Sequence, residues 1–174
     1  MIKVEQQLCT KKTPFDVNNA QFNLIADVVN KPVQAFWTST AYLRDAEWCS
    51  SWLEWTSQNL MEFSNVINYI YLISPKDTAK VYEIKNINDY LCLPKHIIPL
   101  GNQSTVEVLD FQAINDRGFD GIHLTNLALQ DTSLMDMDIE KDNDNGRLTF
   151  WDIESTVWFN IQWIEKIDCI WQRQ

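Results

Sequence analysis

Glycine is scarce in this chain of 174 residues: there are four, with five prolines and two histidines. No G-x-x-x-x-G-K-[ST] and no G-x-G-x-x-G occurs, so neither glycine-built phosphate cradle is available. The low glycine and proline content also excludes collagen-like and linker-rich architectures. His96 and His123 form no H-E-x-x-H, and no metal site is expected. A G-x-S-x-G nucleophile elbow is missing too. Cys9, Cys49, Cys92 and Cys169 stand singly, with no C-x-x-C, which points to free thiols and a cytoplasmic setting. Residues Met1 to Thr13 contain no apolar run of signal-peptide length. No stretch approaches the ~18–20 apolar residues of a membrane span, so no membrane partner is expected. Positive charge is in deficit: 14 Lys and Arg against 24 Asp and Glu give −10. Direct binding to a phosphate backbone is therefore not expected, because such affinity comes from Lys and Arg.

What the chain does hold is apolar matter. Hydrophobic residues make up 45%, enough to exclude global disorder, and eight are tryptophan. The length suits a single domain over residues 1–174. Ile2 to Leu8 reads as a first strand, and Phe22 to Val29 as a short apolar segment of either type. Ala35 to Thr40 is a strand rich in aromatic and β-branched residues. Asp45 is a candidate cap for a helix that carries Trp48, Trp52 and Trp55 on one face. Phe63 to Ser74 and Lys80 to Ile84 are strand-like, and Asn88 or Asp89 starts a short helix to Leu93. Asp110 caps a helix to Asp116, with Gly118 beyond its end. Phe119 to Thr125, Arg147 to Ile153 and Thr156 to Ile164 are the later strands. Such an order favours α+β with mostly antiparallel sheets and peripheral helices.

Residues 126–146 form an acidic loop in which Asp131, Asp136, Asp138, Glu140, Asp142 and Asp144 face only Lys141. The stretch Asp142 to Gly146 has the wrong register for a calcium loop, since Lys141 would be the first ligand and Asp152 the twelfth position. A solvated surface loop is the simpler reading of such a run, and a docking surface for a basic partner is the functional one.

Three segments stand out together: Phe36 to Thr40, Arg117 to Thr125 and Trp151 to Trp158. Their order resembles small bacterial and phage proteins with an ADP-ribosyltransferase-like fold. The resemblance implies split β-sheets around a cleft for NAD, a Ser/Thr-rich strand beside the nicotinamide ribose, and a catalytic glutamate on a later strand. On this chain it implies Glu154 as the catalytic carboxylate and Trp37, Thr38, Ser39, Thr40 and Tyr42 as NAD-binding residues. It implies Asp152 and Trp158 as weaker substrate contacts, the latter by stacking. The family's first strand offers an Arg or His for NAD, whereas the early cations here are Lys3, Lys11 and Lys12.

The chemistry asks for these residue types. Breaking the nicotinamide–ribose bond develops positive charge on the ribose, as in glycoside hydrolysis. A carboxylate aimed at the ribose stabilises that charge. NAD would be the substrate and an unidentified macromolecule the acceptor of ADP-ribose. The alternative is a non-catalytic acidic interaction or inhibitor protein that imitates nucleic acid toward a basic partner. His123, flanked by Ile122 and Leu124, is expected to be structural.

Overall fold

The computed structural model describes residues 4–28, 30–59, 67–101, 104–135, 148 and 151–173. The calcium-like stretch Asp142 to Gly146, most of the acidic loop, Ile2, the start of the segment from Phe63 and Arg147 lie outside them.

The architecture is α+β with mixed, mainly antiparallel sheets and short peripheral helices. Thirteen strands are described. In chain order they are β1 (Gln7–Lys11), β2 (Asn23–Ala26), β3 (Pro32–Gln34), β4 (Phe36–Thr40), β5 (Tyr42–Arg44), β6 (Glu47–Cys49), β7 (Tyr69–Pro75), β8 (Val81–Ile84), β9 (Lys95–Gly101), β10 (Ser104–Leu109), β11 (Gly121–Leu124), β12 (Ser155–Trp158) and β13 (Ile164–Gln172). The helices are α1 (Ser51–Asn59), α2 (Ile87–Leu91), α3 (Phe111–Asp116) and α4 (Thr132–Met135). Seven strands form one sheet in the order β13-β7-β1-β4-β12-β11-β8, in which only β11 and β8 run parallel. Three two-stranded ribbons, β9-β10, β2-β3 and β5-β6, surround it.

Strand alternation divides the apolar side chains between the two faces of the sheet. Ile84, Ile122, Leu124 and Val157 pack on one face with Val106, Val108, Phe111 and Trp151. Phe36, Tyr71, Ile73 and Trp158 pack on the other with Trp163. Leu8 and Leu72 form a smaller cluster against Trp48 and Leu53.

The sheet is split at its middle. β1 follows β4 for only two residue pairs, Gln7 with Thr40 and Leu8 with Ser39. It follows β7 for all five of its residues. Beyond Leu8 the two strands part, and Trp52 of α1 reaches the gap, where its indole N–H donates to Thr10 Oγ1 at 2.9 Å.

Several elements follow from their own residues. The side chain of Asp110 accepts from the Ala113 N–H at the start of α3, and Gly118 beyond its end takes φ +85°. Asn86 caps α2 by accepting from the N–H groups of Asn88 and Asp89. Gly121 lets β11 and β12 approach closely: a Cβ there would lie 2.5 Å from the Val157 carbonyl oxygen.

Other segments depart from the sequence reading. Asp45 does not cap a helix. With Ala46 it forms the turn of the β5-β6 hairpin, at φ 52° and 67°. Two positive-φ residues match the right-handed twist of the flanking strands. Trp48 is therefore on a strand, and α1 starts after Ser50, whose Oγ accepts from the Leu53 N–H. The segment from Phe22 resolves into strand β2, and the first strand begins at Gln7 rather than Ile2. The expected strand Thr156 to Ile164 ends at Trp158. Residues 159–163 turn back, and β13 continues to Gln172 as an edge strand. Residues 151–154 are not in a strand.

Candidate functional site

Glu154 lies just before β12. The β12-β4 register pairs Thr156 with Thr38, so two residues further, beyond the ladder, Glu154 stands opposite Thr40. This brings Glu154 to two adjacent residues, Ser39 and Thr40, that lie more than a hundred positions before it. Ser39 donates its hydroxyl to Glu154 Oε2 at 2.7 Å, and Thr40 donates its hydroxyl to Oε1 at 2.8 Å. The Thr40 backbone N–H adds contacts of 3.2 Å to both oxygens. His123 Nδ1 lies 3.4 Å from Oε1. Glu154 is 4% exposed and is the single buried carboxylate among the described residues.

A polar chain continues from this cluster through the sheet. His123 Nδ1 lies 2.9 Å from Thr156 Oγ1. Thr156 and Thr38 both donate to Gln7 Oε1, at 3.3 and 2.7 Å. Thr156 has one hydroxyl proton, so its oxygen accepts from the Nδ1–H of His123. Burial lowers the His123 pKa from its ordinary value, and Glu154 opposes that shift. Trp158 closes the chain by donating its indole N–H to Thr38 Oγ1 at 2.8 Å.

Two cavities flank this cluster. The first, about 380 Å³, opens where β1 and β4 part, and Trp37, Thr38, Ser39, Trp52, Trp151 and Asp152 are among its walls. Trp37 meets Trp151 edge-on, with ring centroids 4.9 Å apart, and the Lys31 ammonium lies 5.7 Å from the Trp37 ring. Lys11 also borders the cavity, but its ammonium sits over Phe15 and Phe36. The second cavity, about 500 Å³, includes Gln7, Thr40, Tyr82, Phe119, His123 and Thr156. Glu154 lines neither cavity.

The remaining sequence-chosen residues are dispersed. Tyr42 lies on the β5-β6 hairpin and lines a different groove from Trp37. Trp158 is fully buried and stacks on Trp163 with centroids 3.5 Å apart. It is a core residue, not a stacking platform. Asp152 is exposed while Glu154 is buried, so the two acids do not face one space, because the segment between them is not extended strand. Lys31, Trp52 and Trp151 were not singled out as binding residues. The signals are a cation beside Pro32 and two indoles that local patterning assigns to the core.

Among the described residues no cluster of His, Cys, Asp and Glu could hold a metal ion, and no helix is long and apolar enough to cross a membrane. The four cysteines are unpaired, and burial pushes the Cys9 thiol up to about 12. Comparison of the chain with family models, curated proteins and solved structures gives no match.

Proposed function

We propose that this chain is a non-catalytic acidic interaction protein that docks on a basic macromolecular partner. One observation carries the reading: Glu154, the buried carboxylate, has both oxygens engaged by Ser39 and Thr40 and lines neither of the two cavities that flank it. Every other described carboxylate is at least partly exposed, so the negative charge of the described residues lies at the surface. A charged surface steers an oppositely charged partner and sets its approach rate. The test is binding of a fluorescent all-lysine peptide to the full chain at rising salt. Affinity should fall steeply as the screening length shrinks from about 10 Å at 0.1 M to about 3 Å at 1 M. Replacing Asp136, Asp138, Glu140, Asp142 and Asp144 by their amides should weaken it further. Salt-independent binding would sink the reading.

The ADP-ribosyltransferase-like reading, with NAD as substrate, keeps one specific support. The cavity at the sheet split gathers Trp37, Thr38, Ser39 and Asp152, with Lys31 as a cation for phosphate. Its volume is near the low end for ligand pockets. Thermal stability measured with NAD tests it, because a ligand at 100 times its dissociation constant adds about 2.7 kcal/mol. A Tm that NAD leaves unmoved, together with no release of nicotinamide, removes this second reading.

A further inference from the structure

The β5-β6 hairpin stands out from the sheet with residues 42–47 all exposed. Leu43 and Trp48 are directly opposed across it and lie on one face. Trp48 packs down on Leu8, Ala41 and Leu72, whereas Leu43 above it is 60% exposed. Between this face, the end of β7 and the start of β13 runs an open groove of about 740 Å³. Tyr42, Leu43, Trp48 and Pro75 give it an apolar floor.

Among the described residues its charged lining is of one sign. Glu5 comes from the segment before β1, Asp77 from the β7-β8 turn and Glu165 from β13, and all three are exposed. No lysine or arginine is among the described lining residues. Three described cations on the neighbouring segments have partners outside the groove. Arg44 pairs with Glu54, the Lys76 ammonium donates to the Gln162 carbonyl at 2.6 Å, and Lys166 pairs with Asp168 at 2.7 Å. An apolar floor with acidic walls is complementary to one kind of ligand: an extended segment that offers a large apolar side chain between Lys or Arg residues.

We infer that this groove is the docking site for a Lys- or Arg-bearing, apolar-anchored segment of a basic partner protein. The inference rests on the acidic-interaction reading and adds to it a place and a sequence type. The apolar anchor would cover Leu43 and Trp48, and the flanking cations would approach Glu5 and Glu165. Charge alone would attract any basic chain, whereas the exposed leucine selects one that carries an anchor.

The experiment uses the full chain and two fluorescent heptapeptides, one alternating lysine and leucine and one all lysine, followed by anisotropy at low and high salt. The alternating peptide should bind about tenfold more tightly, the worth of one buried leucine-sized side chain. Leu43→Ser, at an exposed position, should abolish that advantage without moving Tm. Glu165→Gln should weaken both peptides severalfold and flatten the salt dependence. Asp116→Asn, outside the groove, should change neither. Equal affinity for the two peptides, or indifference to Leu43→Ser, overturns the groove and leaves the general acidic reading intact. Failure of both peptides to bind at low salt overturns both.

Discussion

Ser39 and Glu154 are 115 positions apart and share a 2.7 Å hydrogen bond between hydroxyl and carboxylate. Ser39 also approaches the Glu154 backbone carbonyl at 3.1 Å, so both main chain and side chain of Glu154 are tied to β4. The resemblance to ADP-ribosyltransferase-like proteins implies a catalytic carboxylate at this position. Its surroundings give it a structural task.

Glu154→Gln should therefore destabilise the fold. The amide nitrogen would face hydroxyl and backbone donors that now point to an acceptor, leaving at least one buried donor unmatched. Such a loss costs about 1–3 kcal/mol. For a domain of this size Tm should fall by about 2–12 °C. Calorimetry of the two proteins checks it. An unchanged Tm would show that the hydrogen bonds around Glu154 do not hold β12 to β4.

Gly121→Ala should cost more than its one carbon suggests. The new Cβ would meet the Val157 carbonyl oxygen at 2.5 Å and the Trp158 ring at 3.1 Å. A backbone oxygen cannot rotate away, so the β11-β12 pair must shift. Overpacking of this kind costs about 1–3 kcal/mol. Gly118→Ala is the contrast: its Cβ meets nothing within 4 Å, and the penalty is that of φ +85° alone. That penalty is about 1–2 kcal/mol. Denaturant unfolding of the pair separates steric from conformational cost.

The stability of the protein should depend on His123 below neutral pH. Its folded pKa is lowered, chiefly by burial. The unfolded chain, with a pKa of about 6.5, then takes up a proton before the folded one does. Stability is full above that value and falls as pH drops toward the folded pKa. The slope for one proton is at most about 1.4 kcal/mol per pH unit. His123→Gln should flatten the profile in this window. A profile unchanged by the substitution would exclude His123 as its origin.

Ala46→Gly should stabilise the β5-β6 turn. Ala46 holds φ 67°, a region that costs a side-chain-bearing residue about 1–2 kcal/mol. Glycine removes that cost but gives the unfolded chain more freedom, worth about 0.4–1 kcal/mol. A net gain of about 0.5 kcal/mol is expected, read as a higher denaturant midpoint with an unchanged m-value.

Local chemistry was legible in the sequence where one segment contains its own signal. Asp110, the apolar pattern after it and Gly118 together mark α3 without help from the rest of the chain. The β5-β6 hairpin was hidden because Trp48, Trp52 and Trp55 have helical spacing although Trp48 belongs to a different element. Its turn also lacks the glycine that usually announces one. β13 escaped notice because most of it is exposed and shows no alternation of apolar and polar residues. The resemblance implied that Ser39, Thr40 and Glu154 meet at one cleft; the three do meet, but Glu154 lines neither cavity beside them. The resemblance implied a cleft beside Trp37, Thr38 and Ser39, but the residues themselves did not show where it opens, since it arises where β1 and β4 cease to pair. No pattern within either strand encodes that parting.

The order of strands in the main sheet also bears on how quickly it can assemble. No two neighbours in β13-β7-β1-β4-β12-β11-β8 are joined by a tight turn. Gln7 must find Ile73, and Thr38 must find Thr156, before either ladder can grow. Such pairing requires loop closure before contacts reward it, and chains of this kind fold in about milliseconds to seconds rather than microseconds. The hairpins β5-β6 and β9-β10 and the capped helix α3 can form locally. The ties from Glu154 to β4 join segments more than a hundred residues apart, so they require a long loop to close before they can form.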